Sequence, residues 1–198
     1  MEDLKKIPFI FIIGFNKSAT TSLHKLFSDN GYPSIHWDRG NLAKYSLLNI
    51  LNGRKIFDSY DDKYRIFSDF IFRNDKYVFE GNSLFQVMDI DYPNSFFIYN
   101  YRDMNSWIES RINHISNIKG LSLLELQFKL FNTNDIEAVK NHWKAARLKF
   151  EIDIRNYFSL RNNLIELDID SDDVVEQLNL KLNLGLNPMH WKKHNSSR

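Results

Sequence analysis

One lysine among hydroxyls is the feature of this chain best suited to chemistry. Lys17 follows Gly14 by three positions and is flanked by Asn16, Ser18, Ala19, Thr20, Thr21 and Ser22. A βα turn of this kind binds phosphate: first-turn N–H groups point outward, the helix dipole favours negative charge there, and ammonium and hydroxyl groups add directed donors. A second constellation lies downstream, where Arg102 is followed eight residues later by Ser110. A guanidinium offers a planar fork to a dianionic phosphate, and a serine one or two turns into the next helix adds a donor from the same side. A carboxylate or imidazole at a strand end beside a phosphate loop is also a candidate general base. His36, Asp69 and Glu80 are the candidates, and the sequence does not choose among them.

The elements that must position these groups alternate between strand and helix. Phe9–Ile13 is an unbroken apolar run that ends in Gly14, as a buried parallel strand does, and a helix follows to about Asn30, where Gly31 stops it. Tyr32–Trp37 reads as a second strand with His36 and Asp38 at its end, and residues 42–52 as a helix carrying Leu42, Tyr45, Leu48 and Leu51. The stretch from Tyr60 to Asn82 has no clear assignment apart from a strand over Tyr77–Glu80. Ser95–Tyr101 is a buried strand that delivers Arg102, and Asp103 caps a helix from Met104 to about Asn117 in which Trp107, Ser110, Arg111 and His114 share a face. Helices over 121–131 and 135–159, a strand over 163–168 and a helix over 172–182 complete the chain. This order predicts one α/β domain over residues 1–198 with a mostly parallel sheet, whose sites lie at strand carboxyl ends.

Composition narrows the partners. The 198 residues are 43% hydrophobic and 15% aromatic, enough for a sizeable core. With 26 basic and 25 acidic residues the net charge is +1, so bulk electrostatics do not point to nucleic acid, and any anion site must be local. The chain has no cysteine, which removes disulfides and thiolate metal ligands. No apolar run approaches the roughly 20 residues of a membrane span, and a cytosolic protein is the expectation.

The spacing around Lys17 does not fit the nucleotide triphosphatase loop, which needs a second glycine directly before its lysine. The segment Asn16-Lys17-Ser18-Ala19-Thr20-Thr21-Ser22-Leu23 instead resembles the 5′-phosphosulfate loop of sulfotransferases, with Asn16 in place of proline and Ala19 in place of glycine. Arg102 to Ser110 resembles that family's 3′-phosphate motif, with Met104 where proline is usual, and the tail around Trp191-Lys192 resembles the segment that closes over the adenosine phosphate. The resemblance implies an α/β fold like that of the P-loop nucleotide triphosphatases, with the phosphate loop after strand one. It implies 3′-phosphoadenosine 5′-phosphosulfate as co-substrate, no metal, and a small-molecule, carbohydrate or lipid acceptor.

By the same resemblance Lys17 would neutralise the leaving group, Asn16 to Ser22 would hold the 5′-phosphate, and Arg102, Ser110 and Lys192 would hold the 3′-phosphate end. Asp69 gains support as the base because Phe67-Ser68-Asp69 resembles an acidic segment ahead of the 3′-phosphate strand. Ala19 matters if its position requires positive φ. Two other readings are a non-catalytic nucleotide-binding module of the same fold and, further off, a small-molecule kinase.

Overall fold

The computed structural model of the protein describes residues 4–114 and 121–192. Its main sheet contains five parallel strands: β1 (Ile10–Ile12), β2 (Ser34–His36), β3 (Ile66–Ser68), β6 (Phe96–Tyr101) and β7 (Leu164–Asp168), in the spatial order β2-β3-β1-β6-β7. A separate antiparallel pair, β4 (Ile71–Arg73) and β5 (Val78–Glu80), stands outside it. The helices are α1 (Thr20–Asp29), α2 (Asn41–Leu51), α3 (Phe85–Asp91), α4 (Met104–Ile112), α5 (Leu123–Phe131), α6 (Ile136–Phe158) and α7 (Val174–Leu182).

Strand alternation divides the core in two. Phe11, Phe67, Phe97 and Tyr99 turn to one face, where they meet Met88, Trp107, Leu123 and a stripe on α6 formed by Trp143, Phe150, Ile154 and Phe158. Ile10, Ile12, Ile66 and Ile98 turn to the other and pack on Leu23, Leu26 and Phe27 of α1 and Val174, Val175 and Leu178 of α7. Both faces of β1 are therefore covered, which is why its sequence is apolar without alternation. The expected mostly parallel sheet, flanked by helices, is the observed architecture.

Three expectations change. β3 lies in the stretch that has no clear sequence assignment, yet it pairs with both β1 and β2 and so occupies the interior of the sheet. Three residues carry too little periodicity to announce a strand; neighbours on both sides make it one. Tyr77–Glu80 does contain a strand, but one that pairs with β4 and not with the main sheet. The helix beginning at Met104 ends at Ile112, short of the expected Asn117, and residues 115–117 of that expectation fall outside the described residues. Among the described residues no helix is long and apolar enough to cross a membrane.

Candidate functional site

All five strands of the main sheet run the same way, so their carboxyl ends gather at one edge. Each end delivers a polar group: Lys17 after β1, His36 at the end of β2, Asp69 after β3, Arg102 after β6 and Asp170 after β7 all line one open cavity of about 230 Å³. The sheet order makes β1 the turning point, since the chain leaves it first toward β2 and later resumes on its other side at β6. Open α/β sheets form their ligand crevice at such a point.

The loop after β1 is held in shape by partners distant in sequence. Asn100, fully buried near the end of β6, accepts a hydrogen bond from Gly14 N (2.9 Å) and donates one to the Ser18 carbonyl, so one amide clamps both ends of the turn. A Cβ on Gly14 would lie 2.1 Å from the Asn100 carbonyl oxygen, and this close approach is what glycine is needed for. Trp107 of α4 donates its indole N–H to the Asn16 carbonyl (3.0 Å), and Asn82 donates to the Ile13 carbonyl (3.2 Å).

Inside this frame Lys17 and Ala19 adopt φ of 70° and 61°. Position 19 thus does take the left-handed conformation that a glycine would adopt without strain. As the residue capping α1, Ala19 brings no side-chain acceptor, so the first turn of that helix has no side-chain cap of its own. Lys17, Thr20, Thr21 and Ser22 line the cavity beside it. Ser18 is buried and its carbonyl is taken by Asn100; it does not reach the cavity wall. Burial holds the Lys17 ammonium below its ordinary pKa, and Asp69 pulls in the opposite direction.

The candidate bases separate clearly. His36 lies with Nε2 3.2 Å from Thr21 Oγ1 and 3.6 Å from Asp69 Oδ2, and with Nδ1 3.0 Å from Ser68 Oγ. Burial depresses its pKa to about 4, so the ring is neutral at pH 7. Asp69 has φ of 62°, a strained setting that turns its side chain from the end of β3 toward the cavity. Burial pushes its carboxyl up to about 6, against the pull of Arg73. A base works best with a pKa near the working pH, which favours Asp69 over His36.

Glu80 stands apart: its carboxylate accepts a 2.7 Å hydrogen bond from Arg111, and it lines a neighbouring cavity of about 400 Å³ with Tyr77, Phe131 and Trp143. Arg111 is 2% exposed and sandwiched between the rings of Trp107 and Trp143, so its charge requires that partner. Glu80 is accordingly committed to an ion pair. Asp38, the other acid expected near the end of β2, accepts a hydrogen bond from Tyr60 (2.7 Å) and is not part of the cavity wall.

Arg102 and Ser110 both line the main cavity. Arg102 Nε is buried without a hydrogen-bond partner and sits 3.7 Å from Asp170 Oδ2, too far for a hydrogen bond. Its backbone is fixed by Arg147, which donates to the Arg102 carbonyl (2.8 Å). Lys192 is exposed and does not line the cavity. Arg73, His114 and Trp37 line it although sequence reasoning did not place them there. For Arg73 no local signal exists, because its position depends on how the β4–β5 hairpin folds over the sheet edge.

Compared with known proteins, the chain matches no family model, and no curated protein matches it at a significant level.

Proposed function

We propose that this protein transfers a sulfuryl group from 3′-phosphoadenosine 5′-phosphosulfate to a hydroxyl or amine of an acceptor. The observation that carries the reading is that the Lys17 loop and the Arg102/Ser110 pair, which sit on different βα units, face one cavity together with a carboxylate of raised pKa. Two separate anion-binding sets suit a ligand with two separate phosphates.

The residues present fit that donor. The uncapped first turn of α1, Lys17 and the hydroxyls of Thr20, Thr21 and Ser22 would hold the 5′-phosphosulfate. Arg102, whose buried Nε lacks a hydrogen-bond acceptor, would hold the 3′-phosphate with Ser110. Asp170 already stands beside Arg102, and a half-exposed pair of this length is worth about 0–1 kcal/mol, little enough for a phosphate to outcompete.

Bound there, the donor supplies a sulfuryl group that is released as its P–O–S bridge breaks and the acceptor O–S or N–S bond forms. Asp69, ionised above pH 6, takes the acceptor proton. Lys17 neutralises the charge left on the 5′-phosphate oxygen, a contact strongest in the transition state. His36, neutral and bonded to Thr21 and Ser68, ties the loop to the β2 side of the cavity.

Calorimetric titration with adenosine 3′,5′-bisphosphate and with ATP·Mg²⁺ tests the reading. The bisphosphate should bind more tightly, and Arg102→Ala should weaken it more than Ser110→Ala, because a charged bidentate contact is lost in place of a neutral one. Equal affinity for the two nucleotides refutes it. Tight binding of the bisphosphate without turnover of labelled donor on carbohydrate, phenol, lipid and peptide acceptors would leave a nucleotide-binding module.

A further inference from the structure

Arg73 is the one cation of the cavity wall that the donor reading does not use. It ends β4, opposite Val78 of β5, on a hairpin whose turn is closed by Asn74 Oδ1 accepting from Lys76 N and Tyr77 N. Its Nη2 donates to His114 Nε2 (3.2 Å), whereas Nε and Nη1 are buried and have no hydrogen-bond partner. Asp69 and Glu80 supply the negative charge around it, with Arg111 and Lys17 the other cations nearby. Among the described residues no carboxylate comes within 4 Å of its guanidinium. A buried guanidinium with two unmatched donors is a costly arrangement unless an acceptor arrives.

The partner on its other side strengthens the point. Because a guanidinium only donates, His114 must present an unprotonated Nε2 to it. Burial and the neighbouring cations Lys17, Arg73 and Arg111 keep that ring neutral, at a pKa of about 4. His114 therefore steers Arg73 without neutralising it. Around the cavity three cations, Lys17, Arg73 and Arg102, face two carboxylates, Asp69 and Asp170. Lys17 and Arg102 have work to do on the donor; the charge of Arg73 is left over beside Asp69, where the acceptor must present its nucleophile.

We infer that Arg73, aimed by His114, binds an anionic group of the acceptor, so that the acceptor carries a carboxylate or a sulfate or phosphate ester near the hydroxyl or amine that is modified. The inference rests on the sulfotransferase reading, and the test separates the two. Protein labelled with ¹⁵N in its arginine side chains, saturated with adenosine 3′,5′-bisphosphate at constant ionic strength, is titrated with acetate and, separately, with methyl sulfate. The Arg73 Nε–H resonance is assigned by its absence in Arg73→Lys. It should shift saturably with at least one of the two anions, and the anion preferred tells carboxylate from ester. In Arg73→Gln the affinity for that anion should fall roughly 10- to 100-fold, as loss of a charge-assisted contact requires, with bisphosphate affinity unchanged. A resonance that moves with the bisphosphate and ignores both anions assigns Arg73 to the donor and overturns the inference, as does one that moves with nothing. Failure of the bisphosphate to bind at all refutes the donor reading instead, and the anion titration of the free protein still decides whether Arg73 is an anion site.

Discussion

Replacing Ala19 by glycine should make this protein more stable, a sign opposite to that of most alanine-to-glycine changes. Ala19 holds φ of 61° and ψ of 26° at the start of α1. An L-residue in that region costs about 1–2 kcal/mol relative to the right-handed one, a strain glycine does not feel. Against this, glycine loses more backbone freedom on folding, about 0.5–1 kcal/mol. Glycine is also the better helix cap of the two. The methyl of Ala19 faces the open cavity, so its removal leaves no void in the core. The balance is a gain of up to about 1.5 kcal/mol, or at most roughly 3–6 °C in Tm for a chain of this length.

Urea denaturation of Ala19→Gly measures it, with Ala145→Gly as the control. Ala145 is exposed within α6, where glycine should cost about 1 kcal/mol. The two variants should therefore move the midpoint in opposite directions. A loss in Ala19→Gly as large as that in Ala145→Gly would refute the left-handed setting of the loop, and with it the aim of the first-turn amides into the cavity.

Lys17→Ala should reduce turnover at least about 100-fold while leaving Tm within roughly 2 °C, since burial disfavours the ammonium's charge and nothing in the fold depends on it; loss of the thermal transition would make Lys17 structural. The pH profile of kcat/KM should rise with a single proton loss near pH 6, the value to which burial pushes Asp69, and Asp69→Asn should abolish that limb; a limb near pH 4 surviving in the variant would assign the base to His36. Stability should fall steeply in acid. His24, His36 and His114 are all depressed to about 4 from 6.5, so between those values the unfolded chain binds up to three more protons than the native one, and stability drops as pH falls. Asp69, raised to about 6, works the other way over the range from 3.8. The net uptake of up to two protons corresponds to a slope of up to about 2.7 kcal/mol per pH unit near pH 5, and a flat urea-derived stability from pH 6.5 to 4.5 would show that the three rings are not buried as neutral groups.

What the sequence determined by itself is what depends on neighbours along the chain. The apolar run into Gly14, the hydroxyls after Lys17, and Arg102 followed by Ser110 each lie within one βα unit, so their periodicity and turn chemistry can be read from adjacent residues. The parallel sheet followed from the alternation of such units, and the gathering of Lys17, His36 and Arg102 at one edge followed from parallel strands ending on the same side. Only the tertiary structure decided the rest. The clamp between Gly14 and Asn100 joins residues 86 apart, and nothing near either one announces it. β3 became an interior strand because β1 and β2 flank it, and that is what delivers Asp69 to the cavity. Glu80 looked like a base from its place at a strand end, but Arg111, 31 residues on and held between the rings of Trp107 and Trp143, pairs with its charge. Arg73 had no pattern at all around it. Its unmatched donors exist only because a hairpin outside the main sheet folds over the cavity, and long-range packing of that kind leaves no periodic trace in sequence.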